Sequence, residues 1–343
     1  MPLYPIDLER DTVTLAHGSG GRAMIQLVRQ LFAQAFDNPW LHRGEDAAVL
    51  TLPPGRLVTA TDGHVITPLF FPGGDIGRLA VNGSVNDVAM GGAAPLALTA
   101  GFILEEGLAL TTLARIVHSM AAAAMEVGIP VVAGDTKVVP RGRGDGVYIT
   151  TTALGVVSEG VELSGDRARP GDAILVSGPL GDHGMAVMAA REGLDLDPPI
   201  RSDCAPLHDL VAHLLAAVPG VRCLRDPTRG GLACVLHEWA GQSGVGMVLE
   251  EADLPVRPGV RAACELLGLD PLHVACEGRL VAICPQTHGP RLLQALRAHP
   301  LGREAAVVGQ VVADPDGFVQ VRTPYGGLRN LDWPAGELLP RIC

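Results

Sequence analysis

Short apolar runs recur along the chain in two series. In the first, from Gly44 to about Gly160, β-rich and helix-like runs alternate over residues 47–50, 57–61, 76–90, 96–104, 110–127, 131–139 and 147–157. Strand-like and helix-like periods alternating in this way predict an α/β layout of the α+β type. Arg169-Pro170-Gly171-Asp172 breaks the pattern. A second series then covers 173–176, 185–192, 204–218, 231–240, 246–249, 280–283, 291–298 and 305–312. Two domains are predicted, residues 1–160 and 161–322, joined near 158–170. The two series have similar order and length, as a duplicated architecture would, although no residue-level repeat is visible.

The pattern dissolves after Val321. Tyr325-Gly326-Gly327 and Trp333-Pro334-Ala335-Gly336 favour turns and extended chain over a packed helix, and the sequence ends Leu339-Pro340-Arg341-Ile342-Cys343. Residues 323–343 are therefore expected to be a mobile tail carrying a thiol at its tip. About 20 residues at ~3.3 Å each reach up to ~65 Å, enough to visit an internal pocket and another protein. Cys343 is read as a carrier thiol. It lacks the position of a prenylation box, and nothing in the tail lowers its pKa decisively, so its cargo must come from an activated donor.

Composition narrows the partners. A chain of 343 residues that is 48% hydrophobic can bury two ordinary cores. Its net charge of −11 argues against nucleic acid or an anionic membrane, both of which require a basic surface. Mean hydropathy is positive, yet the apolar runs are short and interrupted, so no membrane span is expected. Met1 to Asp7 lack the basic start and apolar core of an export signal, which makes the cytoplasm the expected compartment. Seven cysteines without a C-x-x-C pair fit reduced core thiols.

Of the 26 basic residues, the only lysine is Lys137, in Gly134-Asp135-Thr136-Lys137. Where arginine serves every generic positive charge, a retained lysine points to a compact cation for phosphate contact or proton transfer. Acidic residues recur beside glycine, alanine or amide side chains: Asp46-Ala47-Ala48, Thr61-Asp62-Gly63, Asn86-Asp87 and Gly134-Asp135. Singly, each reads as a cap or turn residue. As a set, Asp46, Asp62, Asp87 and Asp135 are candidate Mg²⁺ ligands, since Mg²⁺ is held by one or two carboxylates plus phosphate oxygens. His17-Gly18-Ser19-Gly20-Gly21-Arg22 precedes a helix-like run, so the amides of Gly18, Ser19, Gly20 and Gly21 could cradle phosphate. It is neither a P-loop nor a Rossmann fingerprint.

These motifs resemble those of the aminoimidazole ribonucleotide synthetase-like ATP-binding superfamily, with Arg169-Pro170-Gly171-Asp172, Ser177-Gly178 and Asp226-Pro227-Thr228-Arg229-Gly230-Gly231-Leu232 similar to its second domain. The terminus Pro340-Arg341-Ile342-Cys343 is similar to that of the carbamoyl dehydratase family of [NiFe]-hydrogenase maturation. The resemblance implies a two-domain fold with a C-terminal tail, ATP and Mg²⁺ as cofactors, and Asp62, Asn86 and Asp135 in the nucleotide site. It implies dehydration of a carbamoyl group on Cys343 to a thiocyanate, the source of iron-bound cyanide. A carbamoyl oxygen leaves once phosphorylated, while a carboxylate beside the nitrogen removes its protons. Lys137 matches the group beside the thiocarbamate. Glu277, in Ala275-Cys276-Glu277-Gly278-Arg279, matches the proton acceptor, although Cys276 stands where the family pattern has asparagine. The implied partners are the carbamoyltransferase HypF as donor, a HypC–HypD complex as cyanide acceptor, and a second copy of the chain, with ATP near the dimer interface.

Three alternatives stay open at this point. A selenophosphate synthetase requires a reactive cysteine in its N-terminal loop, and Met1 to Gly20 contain none. A thiamine-monophosphate kinase shares the aspartates but has no use for a terminal cysteine. An inactive docking scaffold leaves the lysine and the acidic set unexplained.

Overall fold

The computed structural model describes residues 5–333 and 341–343. Strand β1 (Arg56–His64) is followed by helix α1 (Ile76–Met90), β2 (Ala94–Glu105), α2 (Leu110–Val127), β3 (Val131–Val139) and β4 (Val147–Val157). The four strands form one sheet in the order β1-β4-β2-β3. β2 and β3 run parallel, which requires the crossover that α2 supplies; the other pairs are antiparallel. Alternation along β4 shows the two faces: Ile149, Thr151 and Ala153 are buried, whereas Thr150 points away. Helices α1 and α2 cover the first face. On the other, Leu57 is 55% exposed and Ile103 42% exposed.

The second sheet has seven strands: β5 (Asp172–Val176), β6 (Cys223–Arg225), β7 (Gly246–Glu250), β8 (Val281–Pro285), β9 (Ala306–Val312), β10 (Val319–Arg322) and β11 (Leu328–Asn330). Their order is β11-β10-β7-β9-β5-β8-β6. Every residue of β5 is buried, because both faces of the sheet are covered. Ile174 and Val176 pack towards α5 (Gly231–Ser243), while Ala173 and Leu175 pack towards α4 (His208–Ala217) and α7 (Gly289–Ala298). Helices α3 (Asp182–Glu192) and α6 (Pro258–Leu267) pack against each other. Among the described residues no helix is long and apolar enough to cross a membrane.

Three expectations are corrected. Residues 47–50 form no element, and the helix predicted over 204–218 begins only at His208, because residues 204–207 run beside Asn86 and take its hydrogen bonds. The chain is also not free from residue 323. Leu328–Asn330 pairs with β10, Leu331 is buried, His273 Nε2 lies 3.0 Å from the Asp332 carbonyl oxygen, and the Trp333 ring lies 5.2 Å from that of His237. A glycine-rich turn that reads as a loose segment is here the turn of a hairpin. Of the expected tail, residues 334–340 lie outside the described residues.

Candidate active site

Residues 341–343 lie against the first domain, where Ile342 is 3% exposed and joins the core under α1 and α2. The Val65 N–H donates to the main-chain oxygen of the terminal Cys343 at 3.0 Å. Burial pushes the Cys343 thiol up to about 12; the nearby Glu277 carboxyl adds to that effect and Arg229 opposes it. At neutral pH the sulfur is therefore a thiol.

Glu277 sits in a bend held from three sides. Its N–H donates to Asp203 Oδ1 at 3.1 Å, its carbonyl accepts from Asn86 Nδ2 at 3.2 Å, and the preceding Cys276 N–H donates to the Pro227 carbonyl at 2.9 Å. Glycine is required at 278, where a Cβ would strike the Asp203 carbonyl oxygen. The carboxyl of Glu277 is buried with Oε1 unpartnered. Burial pushes its pKa well up, and the carboxyls of Asp226, Asp203, Asp62 and Asp87 push it further. These surroundings favour the neutral acid over the carboxylate.

Three carboxyls surround it. Asp226 follows β6 and is 4% exposed, with Oδ2 unpartnered; burial, then Asp87, raises it to about 8. Asp87, on α1, meets solvent, yet the protein around it and the neighbouring Asp62 push it up to about 6 against Arg225 and Arg229. Asp62, on β1, is raised by burial and restrained by Arg229. Gly83 lets β1 approach α1, since a Cβ there would meet His64 Cε1 at 3.1 Å and Asp62 Oδ2 at 3.3 Å. His64 itself is buried, lowered to about 4 by burial and then by Arg229, and leaves Nδ1 without a partner.

The other candidates stand elsewhere. Asp62 shares a row of the sheet with Thr151, Ala100 and Gly134, so β1 and β3 are opposite edges about three strand spacings, ~14 Å, apart. Asp135 and Lys137 lie on the open face of β3, ion-paired at 2.5 Å, and the hydrogen bond from Lys137 holds the Asp135 carboxyl below its usual range. Gly18 rests on the same strand, where a Cβ would meet Val138 N at 2.6 Å. Ser19, Gly20 and Gly21 lead from it into the helical turn Arg22–Leu27. One chain therefore brings together Cys343, Glu277, Asp62 and Asp87, and separately Gly18–Gly21, Asp135 and Lys137.

Asp46 joins neither group and is exposed in the loop before β1. Asn86 is committed to structure: Nδ2 donates to the Ala205 and Glu277 carbonyls and Oδ1 accepts from the Leu207 N–H at 2.7 Å. It joins the two domains and supports Glu277, leaving no amide hydrogen for a nucleotide. Cys276 points into the second core and accepts from the Gly181 N–H at 3.2 Å. Sequence reasoning assigned no role to Asp226, Asp203, Arg229 or His64. Asp226 carried a usable signal, a carboxylate before Pro-Thr-Arg-Gly-Gly, like the other acidic residues set among turn formers. The turn needs both glycines: Gly230 and Gly231 have φ of +74° and +61°, and a Cβ on Gly231 would meet the Leu272 carbonyl oxygen at 2.5 Å.

Among the described residues no three His, Cys, Asp or Glu side chains form a metal-ligating cluster. The neighbouring carboxyls of Asp87 and Asp226, with a free Oδ2 on the latter, fit a cation that takes its remaining ligands from phosphate and water.

The AIR synthase related N-terminal domain matches residues 44–157, and the C-terminal domain of the same family matches residues 169–322. The carbamoyl dehydratase HypE of Azotobacter vinelandii is 64% identical over 98% of this chain and 99% of its own length. That of Cupriavidus necator is 61% identical over 99% and 97%. A solved HypE in complex with ATP is 48% identical, covers 97% of this chain and 100% of its own, and superposes with a TM-score of 0.93. A HypE–HypF complex is 47% identical over 90% and 99%, with a TM-score of 0.79. Full-length identity at this level, with a shared two-domain fold, shows that the chain belongs to the carbamoyl dehydratase HypE family of AIR synthase related proteins.

Proposed function

We propose that the chain dehydrates a carbamoyl group carried on Cys343 to a thiocyanate at the cost of ATP, supplying cyanide for the iron of a [NiFe]-hydrogenase. The observation that carries the reading is the thiol of Cys343 set close to the buried carboxyl of Glu277, whose Oε1 has no partner. HypF, the partner in the relative's complex, fits the donor role, and a HypC–HypD complex the acceptor role.

The balance is R–S–C(=O)NH₂ plus ATP to R–S–C≡N plus ADP and phosphate. The oxygen departs within phosphate, and the nitrogen gives up two protons. Glu277 lies where it can take a proton, but only as a carboxylate. Magnesium with ATP, held at Asp87 and Asp226, would neutralise the transferred phosphoryl group and relieve the crowding that keeps the proton on Glu277. Neutral His64, with Nδ1 free, can hydrogen-bond at the same site without adding charge.

Lys137 reaches this group only from another copy. The open face of the first sheet, with Leu57 and Ile103 exposed, and its two outer strands β1 and β3 support a homodimer in which one β3 lies by the partner subunit's β1. The direct test is intact-mass spectrometry after incubation with ATP and a carbamoyl donor. A carbamoyl adduct on Cys343 that then loses one water is expected, and an adduct that never loses water would overturn the reading.

A further inference from the structure

The last three residues are held through their main chain as well as by the buried Ile342 side chain. The Arg341 carbonyl accepts from Arg191 Nη2 at 2.7 Å, the Ile342 carbonyl accepts from His183 Nε2 at 2.8 Å, and the main-chain oxygen of the terminal Cys343 accepts from the Val65 N–H at 3.0 Å. Arg341 turns the chain with φ +54°, the only non-glycine residue with positive φ among those described, a conformation costing about 1–2 kcal/mol. Its side chain offsets this, donating to the Val65 carbonyl at 2.9 Å and pairing with Asp145 at 2.9 Å.

His183 is fully buried on α3 and kept neutral by burial. A carbonyl oxygen can only accept, so Nε2 carries the hydrogen. Nδ1 then accepts from Ser202 Oγ at 2.8 Å, and that oxygen accepts from the Cys204 N–H at 3.1 Å. The next residue, Asp203, holds the Glu277 N–H. One short segment thus supports both the histidine that holds the tail and the backbone of the acid beneath it.

We propose that His183 and Arg191 are positioning residues that seat the tail by its peptide carbonyls, independently of what the Cys343 sulfur carries. This rests on the carrier-thiol reading given above. A latch made of main-chain contacts, Arg341 and the buried Ile342 side chain, with none of its hydrogen bonds to Sγ, accepts the thiol, the thiocarbamate and the thiocyanate alike. The same seat then serves before and after the chemistry, and selection among the sulfur's states falls to the groups facing Sγ.

Hydrogen exchange of the Val65 amide in the full-length protein reports the seat directly, because that N–H donates to Cys343. Arg191→Met and His183→Ala should each speed Val65 exchange about ten-fold or more, as loss of one strong hydrogen bond implies. Amides in β2 serve as the folding control, and Arg191→Met, at a half-exposed position, carries the test should His183→Ala misfold. Cys343→Ala should keep Val65 protected. Unchanged exchange in Arg191→Met, or loss of protection in Cys343→Ala, would overturn the latch. Failure of the wild type to make thiocyanate with Val65 still protected would count against the dehydratase reading alone.

Discussion

On β3, Asp135 and Lys137 stand in water, paired with each other, and Asp135 is held as a carboxylate. Beneath Cys343, the carboxyls of Asp62, Asp87, Asp226 and Glu277 crowd one another, and burial with mutual repulsion raises all four towards their neutral forms, Asp226 to about 8. Both groups are acidic sets near a candidate phosphate site, and solvent access separates them. An acidic residue in water keeps its charge and finds a cation on its own chain. In the buried set Arg225 and Arg229 offset only part of the desolvation and mutual repulsion, so the carboxyls lean towards their neutral forms and suit a further cation from outside. On the proposed reading the two groups are complementary halves of one site.

The largest effect is expected from removing the acid of the buried half. Glu277→Gln replaces a buried carboxyl whose surroundings favour its neutral form with an amide of the same shape, so stability should stay within ~1 kcal/mol of wild type while thiocyanate formation falls below detection. Chemical denaturation and intact mass measure the two sides. Retained loss of water from the carbamoylated variant would assign proton removal to another group.

Mixed dimers test whether the halves meet across an interface. Neither Lys137→Ala nor Glu277→Gln should turn over alone. Equal mixing after subunit exchange should restore about a quarter of wild-type turnover, because half the dimers are mixed and each has one intact site. No recovery would place Lys137 in its own chain's site.

A smaller, pH-dependent effect belongs to Asp226. Its carboxyl is raised to about 8 in the folded chain, so its contribution to stability is fully present below the usual carboxylate range and is lost as pH rises towards 8. Asp226→Asn should therefore raise the unliganded protein's melting temperature above pH 8 and flatten its pH dependence, while weakening Mg-ATP binding. Thermal scans against pH and calorimetry check both, and a steeper dependence in the variant would reverse the sign. The smallest effect is expected at Asp46: Asp46→Asn should leave Mg-ATP affinity unchanged and stability within ~0.5 kcal/mol.

Much of this was legible in the sequence where local pattern decides. β3 and β4 span the residues their alternation predicted, and α1 and α2 match their apolar runs. Legibility ended where a side chain's meaning depends on distant packing. Asn86 and Asp87 are neighbours on one helix, yet Asn86 faces 205–207 and Glu277 while Asp87 meets solvent, a difference set by the second domain. Asp62 and Asp135 carry the same motif style, but only strand order places them on opposite edges. Residues 47–50 were too short a run to distinguish a strand from an exposed loop.

The hairpin strand β11 narrows the space open to the thiol. With the chain anchored through Trp333, about ten residues separate the anchor from Cys343, so the longest reach is ~33 Å rather than the ~65 Å of a tail free from 323. Halving the length of chain between an anchor and its tip halves the radius the tip can reach. On the carrier reading proposed above, a donor would therefore have to bring its reactive centre within that radius of Trp333.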